Sequence, residues 1–204
     1  MPAHPSVAIT IAESDEPLVP LPREVIELAY YANERWPGAS KSLRARESVS
    51  SRLAAAAVRL PADFGIVVLD AWRSTQFQRA LYEHYYRDSS LAPGFVSDPE
   101  HQLWIPPHET GGALDVSLTW KGQPLSLGTE FDSFTHKARL DAYEGSRDAE
   151  PFRSLRRLLV AALTAVDFCP YPEEWWHFSY GDQHWAYNKG LPAAPYGRVG
   201  PDGD

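Results

Sequence analysis

Apolar positions along the chain recur at two spacings, and the switches between them mark out the elements. From Ser42 to Leu60, the residues Leu43, Val49, Leu53, Ala56, Ala57 and Leu60 fall at near-helical intervals, and Pro61 stops the pattern; a helix is predicted there. Phe64-Gly65-Ile66-Val67-Val68-Leu69 is a short β-branched run and predicts a buried strand. Thr75 to about Arg87 carries Phe77, Leu81 and Tyr85 four residues apart, the stripe of an amphipathic helix. Between Ser89 and Pro107 no period survives, and Pro93-Gly94 and Pro106-Pro107 predict a long loop. In Ala113 to Trp120, Leu114, Val116, Leu118 and Trp120 alternate with Ala113, Asp115, Ser117 and Thr119, which predicts a strand with one polar face. Lys121-Gly122-Gln123-Pro124 then turns the chain. Phe152 to Phe168 is the strongest helix, with Phe152, Leu155, Leu159, Ala162 and Val166 on one side. Pro170-Tyr171-Pro172 closes it, and Trp175 to Tyr180 reads as an aromatic strand. Val25 to Tyr31 fits a strand or a short helix equally, ending at Pro37-Gly38.

Helices and strands in this mixed order predict an α+β fold rather than a strict alternation of strand and helix. No internal repeat interrupts the chain, whose 204 residues suit one domain. Residues 1–24, with Pro2, Pro5, Pro17, Pro20 and Pro22, read as an extended arm. The formal charge of −8 argues against a general nucleic-acid binder, which needs a basic surface to displace counterions. No segment approaches the run of about 20 apolar residues that spans a bilayer, so no membrane partner is expected. Residues 1–20 lack a continuous apolar core followed by a small-residue cleavage site, so a bacterial cytoplasmic location is expected. The single cysteine, Cys169, excludes an internal disulfide and a metal site built mainly from thiolates. Any metal here must be held by histidines and carboxylates.

Two segments carry candidate chemistry. In Pro107-His108-Glu109-Thr110-Gly111-Gly112-Ala113-Leu114-Asp115, a histidine on a glycine-rich loop precedes a strand whose first polar position is a carboxylate. In Glu173-Glu174-Trp175-Trp176-His177-Phe178, a carboxylate and an imidazole stand three residues apart among aromatics. Two histidines and one aspartate make a three-ligand set, the number a catalytic zinc uses while keeping a position for water. Glu174 would remain to take a proton from that water. Strand parity works against this, because residues three apart on a flat strand point to opposite faces. Glu174 and His177 can meet at one site only at a bend after Pro172 or at a bulge. His108 can fold back on Asp115 only if Gly111-Gly112 turns the chain.

His108-x2-Gly111-x-Ala113-x-Asp115, followed far downstream by Glu174-Trp175-Trp176-His177-Phe178, resembles the zinc D-alanyl-D-alanine dipeptidases of the VanX type. Their superfamily also holds D,D-carboxypeptidases, phage endolysins and the Hedgehog signalling domain. Asp70-Ala71-Trp72-Arg73-Ser74, Leu127-Gly128-Thr129-x-Phe131-Asp132 and Leu28-Ala29-Tyr30-Tyr31-Ala32-Asn33 resemble further family segments, so the likeness covers about residues 25–187. It implies a single Hedgehog- and D-Ala-D-Ala-peptidase-like domain, a central and mostly antiparallel sheet flanked by helices. That zinc peptidase domain would cover residues 25–190, with 191–204 as a tail.

Carried over position by position, the resemblance implies that His108, Asp115 and His177 hold one Zn2+ per chain. Glu174 becomes the general base and then acid, and Arg73 stabilises the oxyanion, a task suited to a permanently charged fork of donors. Asp132 matches a carboxylate that meets the substrate's free amine, and Tyr31 a pocket tyrosine; Trp72 and Trp176 flank site residues and are expected to wall the pocket. The expected function is zinc-dependent hydrolysis of a small peptide, D-alanyl-D-alanine or a related D-amino-acid dipeptide. One alternative is a carboxypeptidase or endopeptidase acting on peptidoglycan muropeptides. The other is a zinc-stabilised binding module without turnover, for which Glu174 and Arg73 would have no purpose. The chain departs from the family at Pro106, where serine is usual, at Ser74, where proline is usual, and at Glu109-Thr110, where Ser-Arg is commoner. These touch no ligand, base or oxyanion donor, and bear on which dipeptide is preferred. His84, His101, His136 and His184 are expected to be structural or surface residues.

Overall fold

Strand β5 (Phe64–Asp70), the β-branched run, lies inside a six-stranded sheet. The computed structural model describes residues 9–87, 96–145 and 149–201. Before β5 come β1 (Thr10–Ile11), β2 (Leu18–Pro20), β3 (Ile26–Glu27), α1 (Tyr30–Asn33), β4 (Arg44–Arg46) and α2 (Glu47–Ala57). After it come α3 (Thr75–Arg87), β6 (Ala113–Trp120), β7 (Gln123–Pro124), α4 (Phe152–Thr164), β8 (Cys169–Tyr171), β9 (Glu174–Ser179), α5 (Gln183–Asn188) and β10 (Ala193–Ala194). The sheet runs β3-β5-β6-β9-β8, with β7 also on β6; β3 pairs parallel to β5 and the other pairings are antiparallel. The fold is a mixed α+β domain.

Strand β6 is central, and this changes its expected character. Leu114, Val116 and Leu118 pack with Val49 and Leu53 of α2 and Leu159 and Leu163 of α4 in the main core. The polar alternates Asp115, Ser117 and Thr119 face the other way, yet are only 2–4% exposed. Both faces of the strand are therefore covered, and a carboxylate buried there needs partners.

Three boundaries differ from the pattern. The helix expected over 42–60 begins as a strand, because Arg44–Arg46 pairs with Leu18–Pro20 of the arm before α2 starts at Glu47. The Val25–Tyr31 segment contains both alternatives, β3 and then α1, separated by Ala29 in the left-handed region at φ 45°. Helix α4 stops at Thr164, and Asp167 at φ 76° turns the chain into β8. Of the loop expected over 89–107, residues 89–95 lie outside the described residues, as do 1–8 of the arm and 202–204 of the tail. Its later part is tied down: Gln78 donates to the Ser97 carbonyl, and Ile105 N–H donates to Gln183. The arm also pairs with the tail, β1 lying parallel to β10. No helix of the described residues is long and apolar enough to cross a membrane.

Candidate metal and catalytic site

Three neighbouring strands each place one polar residue in a single row. Asp115 of β6 sits opposite His177 of β9 on one side and Asp70 of β5 on the other. Directly opposed residues share a face of the sheet. Asp70 reaches this row because the register shifts after Val68, so Leu69 is an extra residue on β5. Without it Leu69 would face Asp115. A second irregularity answers the parity problem of Glu174 and His177: Pro170 opposes Phe178, but Tyr171 opposes Glu174, so β9 takes four steps against one of β8. Glu174 consequently comes round to its histidine, with Oε2 3.9 Å from His177 Nδ1.

His108 arrives from a short 3-10 turn, Pro107–Thr110. Gly111, at φ 71°, reverses the chain into β6 and folds the histidine back over Asp115. His108 Nδ1 lies 2.7 Å from the Ala71 carbonyl, which can only accept, so Nδ1 carries the proton. Its Nε2 lone pair then faces Asp115 Oδ2 at 3.3 Å. His177 presents Nδ1 to Asp115 Oδ1 at 3.1 Å, and its Nε2 lies 3.3 Å from the Ser179 hydroxyl. One ligand atom from each of His108, Asp115 and His177 lies within 4.8 Å of the others, and all three residues are buried. The donor set fits a borderline divalent cation: two imidazoles held by partners on their far nitrogens, and one carboxylate.

Arg73 borders this trio. Its Nε donates to Asp70 Oδ2 at 2.5 Å, Nη1 to Gln78 at 3.1 Å, and Nη2 to Asp115 Oδ2 at 3.3 Å and the Tyr31 hydroxyl at 3.5 Å. Tyr31 in turn donates to Asp132 Oδ2 at 2.5 Å, and Tyr85 donates to the same oxygen at 3.1 Å. The structure thus links Tyr31, Arg73, His108, Asp115, Asp132, Glu174 and His177 in one constellation. Trp72 lies at its edge: it borders a cleft shared with Tyr31 and Arg73, while its indole N–H donates to the Val199 carbonyl. Trp176 is not part of it. One step before His177, it points into the core on the opposite face, 1% exposed and edge-on to Phe131. His184 stands behind the Tyr171 ring, which lies edge-on to both His184 and His177, and contacts the Pro170 carbonyl and Cys169.

Burial and neighbours divide these carboxyls. Burial opposes the charge on Asp115, yet His108 and His177 hold its carboxyl well below the usual range. Asp132 is pushed up to about 6 by burial, against the opposing hydrogen bond from Tyr31. Burial likewise pushes Glu174 up to about 8, with His177 opposing. A bound cation would favour the charged form of each neighbouring carboxylate. Arg73 stays cationic: burial disfavours its charge, but Asp70 chiefly, then Tyr31 and Asp115, more than compensate.

Comparison with known proteins gives the chain a family. The family model described as D-ala-D-ala dipeptidase, of the M15 peptidases, matches residues 32–195. The chain belongs to this family. A D-alanyl-D-alanine dipeptidase of Synechocystis sp. is 30% identical over 241 aligned residues, covering 97% of this chain and 98% of that protein. Among solved structures, a mutant of the vancomycin resistance D,D-pentapeptidase VanY in complex with Zn(II) aligns with 91% of this chain and 96% of its own. The identity is 16% and the TM-score 0.43. Family membership makes this chain a peptidase.

Four polar residues of this peptidase join the site without having been singled out as site residues by the sequence. Asp70 was visible as the first residue of the Asp70-to-Ser74 segment, but its role depends on the β5 bulge. Gln78 and Tyr85 sit on α3, where their spacing reads only as helix, and Ser179 ends an aromatic strand. Gln78, Tyr85 and Ser179 carry no local signal, because each acts through a partner that tertiary packing supplies.

Proposed function

We propose that this chain hydrolyses a small dipeptide with a free amino terminus, D-alanyl-D-alanine or a related D-amino-acid dipeptide, with Zn2+ held by His108, Asp115 and His177. The observation that carries the reading is the buried convergence of three donor atoms within 4.8 Å, bordered by Glu174 and Arg73, in a chain of the dipeptidase family. When bound, zinc supplies Lewis acidity to the scissile carbonyl and makes water nucleophilic at neutral pH. Glu174 Oε2 takes the proton of the attacking water and delivers it to the leaving amine. Arg73 offers its guanidinium to the oxygen that gains charge, and Asp70 and Gln78 fix the plane of that fork. Asp132 receives the substrate ammonium; its Oδ2 already takes both phenols.

A carboxylate dedicated to an ammonium favours dipeptides over longer chains, whose amino termini lie too far from the scissile bond. The test is turnover of a panel of D,D, L,D and L,L dipeptides beside tripeptides and muropeptides, with zinc content measured on the same preparation. Cleavage of dipeptides with one zinc per chain supports the reading. Cleavage confined to longer substrates would overturn it in favour of a muropeptidase, and zinc binding without any turnover would leave a binding module.

A further inference from the structure

Glu109, next to the candidate ligand His108, is the most deeply buried carboxylate outside the metal trio among the described residues and does none of the chemistry assigned above. Its side chain is 1% exposed. Oε2 receives both the Thr75 hydroxyl at 2.6 Å and Arg198 Nε at 2.5 Å, while Oε1 has no partner among the described residues. Everything that holds Glu109's side chain therefore passes through one oxygen and two donors. Thr75 opens α3, two residues after Arg73. Arg198 comes from the C-terminal tail and also donates to the Pro99 carbonyl at 3.1 Å. The next residue closes the circuit: Val199 N–H donates to the Glu109 carbonyl at 3.1 Å, and the Val199 carbonyl accepts from Trp72 Nε1 at 3.0 Å.

Residues 198 and 199 of the tail thus touch both turns that carry the reaction, the His108 turn at Glu109 and the Arg73 turn at Trp72. Those turns are also joined directly, by His108 Nδ1 to the Ala71 carbonyl and by Arg73 N–H to the His108 carbonyl, and Thr75, just after the Arg73 turn, donates to Glu109. We propose that Arg198, acting through Glu109 and Thr75, is a positioning residue that keeps the first metal ligand and the Arg73 guanidinium in register. A buried carboxylate left with one hydroxyl partner is costly, so without Arg198 the Glu109 side chain turns toward water and displaces the backbone of His108 with it. Arg198 itself is 43% exposed, so its removal opens no core cavity.

This proposal rests on His108 being a metal ligand, and its test reads metal binding independently of turnover. Full-length Arg198→Ala, Arg198→Lys and Glu109→Gln proteins are titrated with zinc against a chromophoric chelator, and kcat and KM are measured on D-alanyl-D-alanine. Arg198→Ala is expected to weaken zinc binding and lower kcat, each by about tenfold, the lower end of what loss of an outer-sphere partner costs, with KM changed by less than about twofold. Arg198→Lys, which keeps the charge, restores most of both. Glu109→Gln keeps the shape and the Thr75 contact, and lowers zinc affinity at least about threefold; it serves if Arg198→Ala does not fold. Zinc affinity and kcat unchanged within about twofold, with only a lower melting temperature, would make the pair merely structural and overturn the proposal. Absence of dipeptide turnover in the parent protein would end the dipeptidase reading while leaving the zinc titrations to decide this one.

Discussion

At Asp132, burial and function pull in opposite directions. The carboxyl is pushed up to about 6, yet its proposed hold on an ammonium requires the ionised form. The predicted consequence is an acid limb in kcat/KM, moved below about pH 6 by a bound cation, with activity rising as pH climbs through it; Asp132→Asn should flatten that limb and raise KM, as pH-dependent kinetics would show. The same shift has a sign for stability. Between an unfolded value of about 4 and about 6, the native carboxyl keeps a proton that the unfolded chain has released. Its contribution is therefore full below about pH 4 and lost as pH rises through about 6. In urea melts of the metal-free protein between pH 4.5 and pH 7, Asp132→Asn should lose less stability than the parent. At Glu174 the prediction is kinetic: Glu174→Gln lowers kcat by about 10²–10⁴ with zinc content unchanged. Retention of full turnover by that variant would remove Glu174 from proton transfer. These two residues were legible from their motifs, whereas Asp70, Gln78, Tyr85 and Ser179 were not, because an ordinary polar residue acquires a role only from what it is packed against.

At the scale of elements, the site depends on departures from regularity. A flat β9 would separate Glu174 from His177, and a regular β5 would face Asp115 with Leu69. Strand periodicity can state the parity conflict but cannot say where an extra residue is inserted, since a bulge is chosen by the partner strand. Gly111 offers a direct test. It sits at φ 71°, and a Cβ there would lie 2.6 Å from Leu18 Cδ2 and 3.4 Å from Arg46 N. Gly111→Ala should cost the left-handed penalty of about 1–2 kcal/mol, with steric strain in addition, and should weaken zinc binding by shifting His108. Gly122, at φ 78° with nothing within 4 Å, is the control: its alanine variant pays only the backbone penalty and leaves zinc affinity unchanged. Urea melts with zinc titrations distinguish the two. The helix expected over 42–60 shows the same limit, since the Arg44–Arg46 segment becomes strand only because the arm pairs with it.

For the whole molecule, a metal held by the buried trio would couple to the fold. A ligand that binds only the native state stabilises it by mass action, about 2.7 kcal/mol at a hundred times its dissociation constant. Chelation should lower the melting temperature of the parent and zinc should restore it, while His108→Ala and His177→Ala should respond little to either. A melting temperature indifferent to zinc would count against the metal site. The arm and tail belong to this same unit: β1 pairs with β10, Arg46 joins Glu13, Thr110 and Gly197, and Arg198 reaches Glu109. By itself the sequence determined the α+β class, the main strands and helices and the exclusion of thiolate metal chemistry, because periodicity and donor type are local properties, and it offered His108, Asp115, Glu174 and His177 as candidates whose roles the family resemblance implies. Only the tertiary structure decided that the polar face of β6 is buried, that Trp176 turns into the core, that bulges bring Asp70 and Glu174 into place, and that the tail braces the site. Each of these is fixed by which distant segment lies alongside, and a single chain read in order carries no direct record of its neighbours in space.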